Sequence, residues 1–404
     1  MGGEGREYHT RCRRGDRLAS RGRHEEAISQ YDTAIRMDPK PSYAHYAKGA
    51  CLNSLGRHEE AIACLDESLD IDPDNALVHE IKGDCLARLR RYGEALKHLD
   101  EAIRLDPTLE WSHYSRGVCW LATGAPRDAM SSFDAALGID PGQARTHYSK
   151  GACLAALRKP RAAIRCYNAA LRIDPDFKRA YYGKGEELLA LKRYRDAIKS
   201  FNSALRLDPE DAWTYRGKAI CLFSLSKFGA AVRCTDEALR IDPGDADTHL
   251  IRGDSLHMAG RDAEAAGCYE EAVRLGAEGA DVRHTWGYAL YNIGRYEEAL
   301  EQYEEALRID SGLAEAHSHK GNCLHAMGRY GEAAECYDMA IGIDPEYAWA
   351  HMGKGDCLRD TGRYGEAAEC YDMAIGIDPE YAWAHASKGN CLYHMDRYGE
   401  ALEC

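Results

Sequence analysis

The 404-residue sequence predicts an all-α solenoid of antiparallel helix pairs, and three observations predict it. The stretch GRYGEAAECYDMAIGIDPEYAWAH occurs at Gly328–His351 and again, letter for letter, at Gly362–His385, 34 residues later. Stepping back from Pro379 by the same interval meets proline at nine of eleven positions, down to Pro39. The column ending at Ala401 is alanine in all twelve instances, and the column from Gly15 to Gly389 is glycine except at Ala219. A fixed period of this length marks stacked helical units, each burying its apolar face only against its neighbours.

Eleven full repeats start at residues 8, 42, 76, 110, 144, 178, 212, 246, 280, 314 and 348. Residues 1–7 are set apart as an N-terminal tail, and 382–404 form an incomplete twelfth repeat. Each element of a repeat has its own warrant. Gly49 lies inside the first helical segment of repeat 2, where glycine costs helix propensity and needs a packing reason. The expected reason is close passage of the second helix, with Ala61 and Ser68 as small contacts and Leu65 as the large knob. These three share one face at i, i+4, i+7. Seven repeats place glycine between the segments (Gly22, Gly56, Gly124, Gly260, Gly294, Gly328, Gly362), where a left-handed residue ends a helix. Asp-Pro then stops the second helix, because proline disfavours helical geometry in the residue before it.

Glycine, leucine or tyrosine, alanine, aromatic, alanine and proline at these offsets resemble the tetratricopeptide repeat, as in Gly287, Leu290, Ala299, Tyr303 and Ala306 of repeat 9. The resemblance covers residues 8–404 and implies a right-handed superhelix with a concave peptide-binding face. The chain departs from the family pattern in two ways. Histidine takes the usual aromatic fourth position in eight repeats (His45, His79, His113, His147, His249, His317, His351, His385), and is read as core packing. Ala277 and Ser311 replace the proline, leaving the turn geometry there open.

No apolar run approaches the ~18 residues needed to span a membrane, and the N-terminal MGGEGREYHTRCRRGDR lacks an apolar signal core. Arg6 stands where a myristoylation motif needs Ser or Thr. A cytoplasmic protein is expected. Net charge is −14 and uneven: residues 1–245 hold 39 basic and 36 acidic side chains (+3), residues 246–404 hold 13 and 30 (−17). The plain reading is a solvated surface. The sharper one is an acidic C-terminal half that attracts a basic partner segment. Nucleic-acid binding is disfavoured for want of a basic stripe. The cluster Arg11, Arg13, Arg14, Arg17, Arg21 and Arg23 is expected to cap the open end of the first helix pair.

Fifteen of the sixteen cysteines fall in two columns, one through Cys51 and Cys357, the other through Cys64 and Cys370, with no CxxC. Buried small-residue packing accounts for them. Members of one column sit a repeat apart, and packed helices are ~8–10 Å apart, too far for one zinc at ~2.3 Å per sulfur. His351 and Cys357 are six apart, about 240° around a helix, and point in different directions. No metal, no cofactor and no catalytic residue is expected: GxxxxGK[ST], GxSxG and HExxH are all absent, and every recurrent residue has a packing role.

The family's concave face implies that positions 2, 5, 9, 12 and 13 of each repeat meet the partner. Candidate binding residues are Tyr46, Trp111, Tyr114, Tyr148, Tyr182, Trp213, Arg216, Phe223, Asp254, Tyr288, Asn322, Asp356 and Asn390. The groove is expected to pass from aromatic and near-neutral to acidic, with Tyr46, Tyr114 and Tyr148 equally able to pack on neighbouring helices. Position 5 is never Lys, Asn322 has Ser318 where that Lys belongs, and Arg145 and Arg179 at position 2 are followed by Ser149 and Gly183. The carboxylate clamp of co-chaperone repeats is therefore not expected. Cys404 falls within the second helix of repeat 12, so that end is expected to fray, to associate with a partner or another copy, or to continue. The resulting expectation is a non-enzymatic scaffold binding protein or peptide. The alternative is the substrate-recruiting region of a larger enzyme, such as an O-linked sugar transferase.

Overall fold

The computed structural model describes residues 3–404, among which there are 24 α-helices and no strand. First and second helices alternate along the repeats; those of repeat 2 are Ser42–Ser54 and His58–Ile71. The opening helix is Gly3–Ala19 and takes in residues 3–7, while residues 1 and 2 lie outside the described residues. No helix among the described residues is long and apolar enough to cross a membrane.

The chain forms two compact blocks, one ending at Pro209 and one spanning Glu210–Cys404. In the N-terminal block every first helix touches the next first helix, and in the C-terminal block repeats 7 and 8, and 9 to 12, do the same. Second helices pack against first helices. Each block therefore has a wall built from first helices.

The glycine column is the socket that holds each pair together. A Cβ on Gly49 would lie 2.8 Å from Leu65 Cγ, one on Gly151 would lie 2.6 Å from Tyr167 Cε1, and one on Gly287 would lie 2.8 Å from Tyr303 Cε1. The side chain sixteen residues later thus rests directly on the glycine, and Tyr303, Leu65 and Phe201 are fully buried. Repeat 7 is the instructive exception. Ala219 replaces the glycine, and the facing position is Thr235, also fully buried. The knob is small where the socket is already filled.

All twelve inter-helix turns take the left-handed conformation. Seven use the expected glycines, and the other five use Arg90, Arg158, Lys192, Ser226 and Asp396, at φ of 56 to 61°. Around Gly56, the Arg57 N–H donates to Leu52 O and the Gly56 N–H to Asn53 O, both at 3.0 Å, which satisfies the last carbonyls of the first helix. A side chain at this conformation is strained by about 1–2 kcal/mol, partly offset by glycine's larger entropy loss on folding. Lys192→Gly is therefore expected to stabilise the protein by about 0.5–1 kcal/mol, read as a higher denaturant midpoint, and Gly56→Ala to lower it.

The Asp-Pro turns are held by two further devices. The aspartate accepts from the N–H two residues on, as in Asp140 Oδ1 to Gly142 N at 2.8 Å. Each histidine of the eight-membered column places Nε2 3.0–3.3 Å from the carbonyl oxygen six residues upstream, from His45 on Pro39 to His385 on Pro379. These rings donate to the preceding turn, a role their aromatic-slot position did not reveal; His45, His113 and His351 are buried, while the other five are only half-buried. Ser311 leaves the turn unchanged, because Asp310 still accepts from Gly312 N at 2.9 Å and His317 still reaches Ser311 O. At Ala277 the aspartate is missing too. There the second helix ends at Arg274, and Gly276 at φ 95° turns the chain.

Candidate partner-binding clefts

The first-helix wall of each block carries one large cleft. In the N-terminal block it measures about 610 Å³ and is floored by Trp111, Tyr114, Tyr148 and Phe177. Trp111 and Tyr114, three residues apart on the helix Glu110–Ala122, bring their ring centroids to 5.0 Å, and Tyr148 lies 5.2 Å from Phe177. Tyr114 and Tyr148 also rest on Phe133 and Tyr167 of the second helices, at 5.8 and 5.7 Å. They serve both roles that the sequence left open, and burial pushes the Tyr114 hydroxyl pKa up. The rim is not neutral. Arg88 is paired with Asp84 at 2.9 Å, but Arg145 and Arg179 are exposed and form no ion pair among the described residues; Arg145 instead lies 5.7 Å from the Trp111 ring centre.

In the C-terminal block a cleft of about 380 Å³ is lined chiefly by Tyr291, Asn322, Trp349, Met352, Tyr381 and Trp383. Trp349 is 50% exposed and lies nearly parallel to Tyr381 (18°, centroids 6.4 Å apart), and Trp383 is 75% exposed. The polar groups here are already engaged. Asp356 accepts from Tyr371 Oη at 2.8 Å and from Arg359 Nη1 at 2.7 Å, and Asn322 Oδ1 accepts from Tyr337 Oη at 2.6 Å. Burial holds the Asp356 carboxyl above the usual aspartate range.

Part of the acidity expected of the groove is thus engaged from within the chain, while Asp281 and Glu315 stay exposed. Asp254 likewise accepts from the buried Tyr269 hydroxyl at 2.9 Å and is raised by burial, and Asp247 pairs with Arg216 at 3.2 Å. Asp254, Asn322 and Asp356 serve the inside of their repeats, fifteen residues ahead of a second-helix tyrosine. Repeat 9 shows the same rule by default. Tyr288 occupies that position, and the buried Tyr303 hydroxyl has no partner.

The remaining candidates scatter. Tyr46 is half-buried in a shallow cleft with Tyr31 and Tyr43. Tyr182 packs on Phe201 at 6.1 Å, and Phe223 on Phe228 at 5.5 Å. Trp213 is 59% exposed, but the Arg216 guanidinium lies 4.3 Å from its ring centre, and Arg216 is itself held by Asp245 at 3.0 Å. Tyr288 sits between His257 and His319, and Asn390 is exposed. Trp349, Tyr381 and Trp383 were missed, although Trp349 and Trp383 share position 2 with Trp111 and Trp213. The buried thiols offer little reactivity. Burial pushes Cys51, Cys119 and Cys153 up to about 11.

Models of the tetratricopeptide repeat match residues 12–76, 76–109, 153–212, 188–253 and 314–347, and a TPR repeat model matches 287–328 and 355–396. Among solved structures the chain is similar to YrrB, a TPR protein with an unusual peptide-binding site, at 26% identity over 50% of this chain and 99% of that one, with a TM-score of 0.43. It is similar to PilF of Pseudomonas aeruginosa at 21% identity, over 53% of this chain and 97% of that one, with a TM-score of 0.48. A tetratricopeptide repeat protein from Parabacteroides merdae shares 17% identity, over 62% of this chain and 98% of that one, with a TM-score of 0.46. No curated protein matches the chain at a significant level.

Proposed function

Because the chain belongs to the tetratricopeptide repeat family, we propose that it is a non-catalytic scaffold that binds a polypeptide segment along its first-helix wall, anchored in the Trp349–Tyr381–Trp383 cleft. The observation that carries this reading is the pair of half- to three-quarters-exposed tryptophans beside a stacked tyrosine, over polar groups already satisfied from within. Such a cleft gains little from binding a charge. It gains most from an inserted apolar or aromatic side chain, whose full burial is worth about 1.5–3 kcal/mol. Tryptophan and tyrosine dominate interface hot spots for this reason. The charge of −17 over residues 246–404 further favours a segment that carries Lys or Arg beside its apolar anchor.

The test is to select peptides from a random display library against the full chain and titrate them against variants. The double variant Trp349→Ala/Trp383→Ala removes only exposed rings, so the fold is retained. Selected peptides are expected to bind it about 30-fold more weakly, the loss of a ~2 kcal/mol hot spot. Trp213→Ala, whose ring lies outside this cleft with Arg216 4.3 Å from its centre, should change affinity less than about threefold. Undiminished binding to the double variant would remove this cleft as the anchor.

A further inference from the structure

Neighbouring repeats are joined by a recurring ion pair. A carboxylate on one second helix meets a lysine or arginine sixteen residues later, on the next first helix. Asp32–Lys48 is 2.7 Å, Asp100–Arg116 3.1 Å, Asp236–Arg252 2.8 Å, Glu304–Lys320 2.9 Å, and Asp338–Lys354 and Asp372–Lys388 2.6 Å. Asp66–Lys82 and Asp134–Lys150 complete eight such junctions.

Within the N-terminal block the junction that lacks the pair lies between repeats 5 and 6. Asn168 stands where the carboxylate belongs, and Lys184 faces it half-buried, with no ion pair among the described residues. Burial holds the Lys184 ammonium below the usual lysine range. Arg165 and Arg172 flank Asn168 on one face of the helix Pro160–Ile173, at i−3 and i+4. Both are exposed and also lack an ion pair among the described residues. The cleft they form with Leu171 and Tyr181 measures about 590 Å³ and has no carboxylate in its lining. The setting reinforces this. Residues 144–209 hold 15 basic and 6 acidic side chains, +9 in a chain of −14.

We propose that this cleft binds an acidic polypeptide segment, one of whose carboxylates takes the place that Asp occupies at the other junctions. The eight intact pairs show which anion suits a cation at this position: a carboxylate at hydrogen-bonding distance. The flanking guanidiniums supply forks for a second carboxylate of the same segment. A nucleic acid fits less well, because the three unpaired cations converge on one cleft rather than tracking a phosphate backbone, and the rest of the chain is acidic. This surface is separate from the aromatic cleft of the C-terminal block, and the inference stands whether or not that cleft binds peptide.

The experiment uses the full chain and a fluorescent hexaglutamate peptide, followed by anisotropy at low and at physiological salt. Wild type is expected to bind. Asn168→Asp, which restores the arrangement the fold already tolerates eight times, should weaken binding about tenfold, as should Arg165→Gln/Arg172→Gln. Lys97→Gln, the same one-unit charge change as Asn168→Asp but elsewhere in the block, should leave it unchanged. Failure of wild type to bind at low salt overturns the proposal, as does an equal loss in Lys97→Gln, which would mean diffuse attraction. Tighter binding of a single-stranded DNA decamer, weakened by the same variants, overturns it in favour of nucleic acid. Concentration-dependent mass in sedimentation that Asn168→Asp abolishes would make the occupant a second copy of this chain.

Discussion

Gly253→Ala is expected to destabilise repeat 8 by up to about 2 kcal/mol, while Gly267→Ala in the same repeat stabilises it by up to about 1 kcal/mol. Both residues are helical, and alanine improves helix propensity at each by about 1 kcal/mol. At Gly267 nothing lies within 4 Å of the added methyl, so only the propensity gain remains. At Gly253 the methyl would stand 2.7 Å from Tyr269 Cε1 and 3.0 Å from Cδ1 and Cζ. That ring cannot swing aside. It is 1% exposed, and its hydroxyl is tied to Asp254 at 2.9 Å. Overpacking of this kind costs about 1–3 kcal/mol and exceeds the propensity gain. Stacked repeats need not unfold as one unit, so the effect is best read as hydrogen-exchange protection of residues 246–274 beside the overall denaturant midpoint. Equal effects of the two substitutions would mean that the glycine column is not a socket.

Acidification from pH 7 to about 4 is expected to cost the C-terminal block on the order of 2–3 kcal/mol through His319. Burial, then the neighbouring His284, pushes this imidazole down to about 4 from an ordinary value near 6.5. The ring stacks on His284 (centroids 5.0 Å apart, 14°), with His284 Nε2 2.8 Å from its Nδ1, and Tyr288 and Tyr303 close the site. A base depressed in the folded state stabilises it above the unfolded pKa and loses that contribution as pH falls through the folded one. The loss therefore begins near pH 6.5 and continues to about pH 4. Asp254 and Asp356, raised by burial, titrate in the opposite sense and favour the fold at low pH. Comparing wild type with His319→Phe isolates the histidine: the variant should show a flatter fall in denaturant midpoint between pH 7 and 4.5. Identical slopes would rule His319 out. His98, pushed to about 4 by burial and by Lys82, makes the same contribution in the N-terminal block and is untouched by the variant.

What could be read from the sequence was whatever repeats with the period. Gly49 and Leu65 lie sixteen residues apart in one repeat, so their contact recurs as two columns and gives away the helix pair. The position-2 and position-5 stripe located Trp111, Tyr114 and Tyr148 together. Interactions between different columns were harder to see. Asp254 and Asp356 look like groove charge on their own helix, and only folding brings Tyr269 and Tyr371 onto them from fifteen residues away. Trp349 and Trp383 fall inside a duplicated stretch, where identity pointed to copying rather than exposure. The basic run of residues 144–209 vanished into a near-neutral half when charge was summed over 1–245. Arg158 and Lys192 gave no sign of a left-handed turn, because the strain is imposed by the helices on either side.

Socket and knob lie within one 34-residue hairpin, and the histidine latch and the cross-junction ion pair reach only into the adjoining one. That locality bears on how such a gene can change. Recombination between misaligned copies that adds or removes a whole hairpin puts every glycine back opposite its own knob, so no residue elsewhere has to adapt. The doubled stretch at Gly328–His351 and Gly362–His385 has the form such an event leaves. A gain of any other length would set a tyrosine against an occupied backbone, and the register would be purged. Ala219 with Thr235 is the one hairpin whose halves cannot be exchanged with those of its neighbours, since either half alone meets a mismatched partner.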